Sequence, residues 1–307
     1  MATCRVCGKE AAVRLRYANL WLCREHFLEF FERRVERTLR RYGMVREGDR
    51  IGVAVSGGKD SMVALYVLSR LGERVGFEVC GLHIDLGISA ENYSRVCLQR
   101  VVEAFRELGL VYRVLSLKKE YGFTVEEAAK RVRRPQCAVC GLVRRYVLNK
   151  MALEMGVTKL ATGHHLNDFA VFIVNNVVHA NYAYLARLKP MLLARAGLVA
   201  RIRPLLETPE HDIAAYARFL GIRYADIRCP YGAEEPTKVV GRFLEIVEKR
   251  SPGITMMMVR GFIARCLPIL ESRFGEEEVR ACKECGYPTT GDLCAFCRLL
   301  RRIGARR

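Results

Sequence analysis

The stretch Ile51 to Ser61, I-G-V-A-V-S-G-G-K-D-S, leaves the chain little choice of fold. The apolar run Ile51 to Val55 predicts a buried strand. Ser56-Gly57-Gly58 predicts a tight turn, and the residues from about Asp60 through Leu65 and Val67 a helix. A strand that turns at glycine straight into a helix aims backbone N–H groups at one spot, where the helix dipole also favours negative charge. Glycine has no Cβ, so an anion can approach the main chain. Ser56, Lys59 and Ser61 add side-chain donors. The stretch therefore predicts an anion cradle on a fold that brings strand ends and helix starts together.

The pattern repeats along the chain. An apolar run from Phe77 to Ile84 ends in His83-Ile84-Asp85-Leu86-Gly87 and leads to a helix from about Ala90 to Leu108. Strands are predicted at Val111 to Leu115 and Lys159 to Thr162, the latter ending at Gly163-His164-His165 before a helix over about Asn167 to Val178. Strands alternating with helices predict an α/β fold, a doubly wound parallel sheet. Ligands of such sheets sit beyond the carboxyl ends of the strands, where Ser56, Asp85 and Gly163 all fall. Residues 117–140 read as irregular and basic, and 209–220, 237–249 and 254–270 as helical.

The chain has 51 basic and 33 acidic residues in 307, a net charge of +18, which favours a polyanionic partner such as nucleic acid. It has no uncharged apolar run of about 18 residues, so no membrane span is expected. Met1-Ala2-Thr3-Cys4 does not read as a secretory signal, and a cytoplasmic location is expected. Thirteen cysteines in such a chain predict metal rather than disulfides. Cys4-x-x-Cys7 and Cys23-x-x-His26, fifteen residues apart, predict a Cys3His zinc finger. Cys282-x-x-Cys285 and Cys294-x-x-Cys297, eight apart, predict a Cys4 ribbon, followed by a basic tail ending in Arg306 and Arg307. Between finger and glycine turn, His26 to about Tyr42 predicts an amphipathic helix with Phe27, Phe30, Phe31, Val35 and Leu39 near one face and arginines around it.

Of the other cysteines, Cys80, Cys97 and Cys266 fall in predicted elements, where cysteine packs as a small apolar side chain. Cys137 and Cys140 instead precede a helix among arginines, and Cys229 lies in the polar stretch Arg228-Cys229-Pro230-Tyr231. Three thiolates suit an iron–sulfur cluster with one iron lacking a protein ligand. They also suit a third zinc, or a pairing of Cys229 with Cys137 or Cys140 that carries a persulfide.

S-G-G-K-D-S behind a strand resembles the PP-loop of ATP pyrophosphatases, which split ATP between the α and β phosphates; the Walker A spacing G-x-x-x-x-G-K-[ST] is absent. With V-A-V-S-G-G-K-D-S stand G-L-H-I-D-L-G, C-A-V-C-G-L, A-T-G-H-H-L-N-D, the R-C-P cysteine, the N-terminal finger and the terminal C-K-E-C-G-Y-P-T-T-G-D-L-C-A-F-C. This set resembles the tRNA 2-thiouridine synthetases of the TtuA type, and by extension the TtcA and cytosolic uridine-34 thiolase group, over nearly the whole chain. The two fingers favour the TtuA and uridine-34 branches.

That resemblance implies a PP-loop ATP pyrophosphatase fold with a finger at residues 1–30, a basic linker helix at 31–48, a catalytic domain at 49–275 and a ribbon with its tail at 276–307. It implies ATP-dependent adenylation of a tRNA uridine carbonyl, at 5-methyluridine 54, followed by sulfur transfer. ATP is expected on Ala54, Ser56, Gly57, Gly58, Lys59, Asp60, Ser61, Ile84, Arg144, Gly163 and Asp168, with Mg²⁺. A [4Fe–4S] cluster is expected on Cys137, Cys140 and Cys229, its free iron holding the incoming sulfur, and two Zn²⁺ in the fingers. Asp168, Arg144, Lys59, Cys137 and Cys229 carry the expected catalytic roles. Expected partners are tRNA, a ubiquitin-like carrier with a C-terminal thiocarboxylate, and a second copy in a homodimer. The chain departs from the family's G-H-N-L-D-D-E-A, reading G-H-H-L-N-D-F-A, so Asn167 and Phe169 each replace a carboxylate while Asp168 stays. Arg144 stands where a lysine is expected, and arginine holds phosphate but does not give up a proton. Two other readings fit the residues: a PP-loop tRNA-modifying ligase without sulfur chemistry, and a catalytically weakened zinc-ribbon RNA-binding paralogue.

Overall fold

The computed structural model describes residues 2–232, 236–275 and 279–305; Arg306 and Arg307 of the basic tail, and the expected boundary at residue 276, lie outside them. The chain begins with a hairpin, β1 (Val13–Leu15) against β2 (Leu20–Leu22), and continues into α1 (Arg24–Arg41). Phe27, Phe31, Val35 and Leu39 recur every four residues, so they share one helix face, and all four are buried, with Phe30 half-buried beside them.

The main body runs β3 (Arg50–Ala54), α2 (Lys59–Val75), β4 (Glu78–Asp85), α3 (Tyr93–Glu107) and β5 (Val111–Ser116). It continues through α4 (Leu117–Tyr121), α5 (Val125–Val132), α6 (Gln136–Glu154), β6 (Lys159–Ala161) and α7 (Leu166–Val178). After α8 (Tyr182–Leu185) come β7 (Met191–Leu192), β8 (Ala200–Ile202) and α9 (Glu210–Leu220). The six strands are ordered β5-β4-β3-β6-β8-β7, parallel throughout except at the β7–β8 edge. β3 is central. Ile51 and Val53 on one face are fully buried and Gly52, facing the other way, is buried as well, as expected of a strand covered on both faces.

The core has two parts. One joins α1, α2, α3, α7 and α9, and the other joins β4, β5, α5 and α6 to the C-terminal ribbon. Helices α10 (Pro236–Arg250), α11 (Ile254–Gly261) and α12 (Leu267–Phe274) follow, the last two linked by a wide helical turn at Phe262–Cys266. The ribbon comprises β9 (Arg280–Ala281), β10 (Pro288–Thr289) and α13 (Ala295–Ile303). Phe296 of α13 stacks on Tyr146 of α6 with ring centres 4.0 Å apart, and this anchors the ribbon to the helix that carries Cys137 and Cys140.

Three sequence expectations change. Residues 117–140 are not irregular: they hold α4, α5 and the start of α6. α5 begins in a capping box, in which Thr124 and Glu127 each accept the other's backbone N–H. The short strands β7, at the sheet edge, and β8, between it and β6, were not foreseen. Cys266 is exposed rather than packed, because in its turn only Phe262 faces inward.

Candidate nucleotide and thiol site

The glycine turn closes as its residue types dictate. Ser56 N donates to Ser61 Oγ at 3.1 Å, and Ser61 Oγ donates to the Gly58 carbonyl at 2.9 Å, so the turn is pinned to the first turn of α2. Gly57 has φ +94°, and a Cβ there would meet Cys97 of α3 at 3.0 Å. Gly163, beyond β6, sits against the same turn; a Cβ on it would lie 2.8 Å from Ser61 N. These two glycines let α3 and the β6–α7 loop close on the turn from both sides.

A cavity of about 410 Å³ opens at these strand ends, within the range of small-molecule sites. Ala54, Ser56, Gly58, Asp60, Ser61, Ile84, Arg144, Gly163 and Asp168, nine of the eleven residues on which ATP is expected, line it. Leu82, Leu148 and Leu160 give it an apolar wall, and Arg145, Arg201, Thr162 and His164 add polar groups that sequence reading missed. Two expected residues face elsewhere. Gly57 turns toward Cys97, and Lys59 pairs with Glu210 at 3.0 Å and Asp60 at 3.7 Å. Burial alone would lower the Lys59 pKa, but the carboxylates of Asp60 and Glu210 outweigh it and raise it. Burial lifts the Asp60 carboxyl above its ordinary range, with Asp168 and Glu210 adding to the rise and His165 and Lys59 opposing it.

The departures in G-H-H-L-N-D-F-A have structural partners. Asn167 Oδ1 accepts the Glu210 N–H at 2.9 Å, which seats the residue that holds Lys59. Phe169 is buried, with the Arg203 guanidinium 5.7 Å from its ring centre. Asp168 accepts the His165 N–H at 3.1 Å, so it caps α7 while it lines the cavity.

A second cavity, of about 310 Å³, shares a wall with the first: Ser56, Ile84, Gly141 and Arg144 line both. Cys137, Cys140 and Cys229 line the second together. Cys137, Cys140, Gly141, Arg144 and Leu148 lie on one face of α6, while Val139, Val143 and Val147 on another face are buried in the core. The Cys229 loop is tied in by local bonds. Cys137 Sγ donates to the Tyr231 carbonyl at 3.0 Å, and Tyr231 Oη donates to Glu126 of α5 at 2.7 Å. Burial pushes the Cys140 thiol up, Arg144 opposes this, and Cys229 and Cys137 add to it. Three further residues on this cavity escaped sequence reading as site residues: His83, Tyr93 and Cys97. Cys97 is buried, as expected, but against the thiols rather than in the general core.

The terminal cysteine sets are tighter. Cys4, Cys7, Cys23 and His26, and likewise Cys282, Cys285, Cys294 and Cys297, each place all four ligand atoms within 4.8 Å of one another. A tetrahedral zinc thiolate site requires sulfurs about 3.8 Å apart. Cys7 and Cys23 are 3.8 Å apart, and Cys285 and Cys294 3.6 Å. Both sets therefore fit one zinc ion each. The central trio is not drawn together to that degree, which suits a wider multi-iron group better than a single ion.

Comparison with known proteins agrees with this geometry. Residues 28–227 match the family model of the PP-loop domain, and residues 3–28 match that of the N-terminal LIM domain of 2-thiouridine synthetase TtuA. The tRNA-5-methyluridine(54) 2-sulfurtransferase of Thermus thermophilus is 42% identical over 96% of this chain and 90% of that protein. The Pyrococcus horikoshii protein of the same name is 38% identical over 96% and 92%. The U34-tRNA thiolase NcsA of Methanococcus maripaludis, solved with its [4Fe–4S] cluster, superposes with a TM-score of 0.82 at 27% identity, over 98% of this chain and 96% of that one. The chain belongs to the TtuA family of PP-loop tRNA 2-sulfurtransferases.

Proposed function

We propose that this protein adenylates the C2 carbonyl of a tRNA uridine with ATP and replaces the oxygen with sulfur. The shared wall of the two cavities carries this reading, since Arg144, Ser56, Ile84 and Gly141 face both the anion cradle and the three thiols. A uridine carbonyl oxygen is a poor leaving group, and transfer to AMP makes it a good one. The backbone N–H groups around Gly58, with Ser56 and Ser61, stabilise charge on the phosphates, and Arg144 meets them from α6. Lys59 reaches them by exchanging Glu210 for phosphate. Leu82, Leu148 and Leu160 take the adenine and exclude water.

Asp168 faces the phosphates and would hold a Mg²⁺ ion that neutralises their charge. Cys137, Cys140 and Cys229 would hold a [4Fe–4S] cluster, which supplies an iron without a protein ligand as a seat for sulfur. The substrate is tRNA, in keeping with the +18 charge, and the site is 5-methyluridine 54, after the name of the two relatives. The sulfur arrives on a ubiquitin-like carrier with a C-terminal thiocarboxylate.

The division proposed with this function is a finger at 1–30, a linker helix at 31–48, a catalytic domain at 49–275 and a ribbon with its tail at 276–307. No single helix among the described residues is long and apolar enough to cross a membrane, and the reaction belongs in the cytoplasm with its tRNA. A second copy covers the apolar face of α10 to α12, where Phe243, Ile246, Met257 and Ile269 are more than half exposed. A monomer mass in light scattering at micromolar concentration would remove that last point.

The test of the function is an anaerobic one. Protein reconstituted with iron and sulfide should absorb near 400 nm, as an approximate guide. It should release pyrophosphate from ATP only when tRNA that carries 5-methyluridine 54 without sulfur is added. A colourless protein, or pyrophosphate release indifferent to tRNA, would defeat the reading.

A further inference from the structure

One polar atom beside the three thiols has no hydrogen-bond partner among the described residues: Nε2 of His83. The ring lines the thiol cavity and is 3% exposed. Its Nδ1 lies 2.8 Å from the Val55 carbonyl oxygen, which can only accept, so Nδ1 carries the ring hydrogen. In the neutral ring Nε2 is then a bare lone pair. A buried acceptor left bare is costly, and a fold retains one where a water, a ligand or a reaction uses it.

The sulfur-transfer reading, on which this inference rests, supplies a use. Sulfur entering as hydrosulfide brings a hydrogen that the thiocarbonyl product does not keep. We propose that His83 Nε2 accepts that hydrogen. As the bond from sulfur to uridine C2 forms, the C2–O bond to AMP breaks and AMP leaves with the electron pair. The S–H proton passes to Nε2, and the protonated ring gives it up again as N3 of the base regains the hydrogen that it lost on adenylation.

The surroundings keep the ring ready to accept. Burial pushes the His83 pKa below its ordinary value and Arg144 adds to the fall, while the Val55 bond and Asp85 oppose it. The other titratable groups sharing the cavity are Cys137 and Cys140 on α6, Tyr93 and Cys97 on α3, and Cys229 in its loop. His83 is thus neutral at pH 7. As pH falls through its lowered pKa the ring gains a proton and the acceptor is lost.

The experiment uses the full chain, reconstituted without air, with ATP, sodium sulfide and tRNA that carries 5-methyluridine 54 without sulfur. H83N keeps an N–H donor near the position of Nδ1 and removes Nε2. Pyrophosphate release and cluster absorbance should stay within about twofold of the parent, while thionucleoside formation should fall roughly a hundredfold. With the hydrosulfide concentration, rather than total sulfide, held constant across the pH series, the parent's thionucleoside rate should decline with falling pH below neutrality, and that decline should vanish in H83N. A parental thionucleoside rate and pH profile in H83N would overturn the proposal and leave Nε2 to a trapped water. Loss of pyrophosphate release in parallel would also overturn it, making the ring a support for the glycine turn. Absence of tRNA-dependent pyrophosphate release in the parent would remove the reading beneath it, and the proposal with it.

Discussion

The two cavities share a wall yet are built in opposite ways. The anion cradle is mostly main chain, assembled from the ends of β3 and β6, which are neighbours in the sheet. Its shape is fixed by glycines, and its donors are N–H groups that the fold must leave open at a helix start. The thiol cavity is mostly side chain, gathered from β4, α3, α6 and a loop that follows α9. Nothing in the backbone obliges those groups to meet, and they are brought together by contacts such as Cys137 to Tyr231 and Tyr231 to Glu126. One region is thus specified locally and the other by the packing of distant segments, and changes should separate the two.

Cys229→Ala should have the largest effect. Thionucleoside formation and absorbance at about 400 nm should disappear, while tRNA-dependent pyrophosphate release stays within a few-fold of the parent. Equal loss of both activities would mean that the cavities do not act separately. Arg144→Met comes next, because Arg144 stands on the shared wall. It should slow pyrophosphate release about a hundredfold, the usual cost of one charge-stabilising donor. Arg144→Lys should recover most of that loss if only charge is needed.

Gly163→Ala acts on the cradle alone. Its Cβ would lie 2.8 Å from Ser61 N, a backbone atom that cannot move freely. The expected cost is about 2 kcal/mol of stability, seen as a lower denaturant midpoint, together with a raised KM for ATP and unchanged cluster absorbance. The smallest effect is expected from Cys294→Ser. It loosens the ribbon whose Phe296 stacks on Tyr146, so iron content should drop before ATP turnover does. Cys23→Ser, acting on the α1 side of the core, should leave iron content alone.

The same contrast explains what could be read from the sequence. Ile51 to Ser61 is contiguous and each residue type has a local reason, so strand, turn and helix were all legible. Both zinc sets were legible because paired C-x-x-C spacing is a geometric statement about one ion. Residues 117–140 misled because their charges masked the apolar positions Val125, Ala128 and Ala129, all buried on α5. Lys59 was expected on phosphate, but Glu210, which lies 151 positions away, holds it in this structure. His83 could have been suspected, as the one polar side chain between Val79 and Ile84 of a strand that ends at the ligand edge. Cys97 gave no such signal, since a cysteine on a helix face packs as an apolar residue wherever that face points.

The central claim is that one substrate carbon is activated by the cradle and receives sulfur from the thiol side. The most direct measurement counts pyrophosphate and thionucleoside in the same anaerobic reaction with tRNA that carries 5-methyluridine 54 without sulfur. The account predicts equal amounts of the two, with the sulfur at uridine 54 by mass spectrometry of nuclease digests. Pyrophosphate accumulating with no sulfur in the tRNA would contradict it.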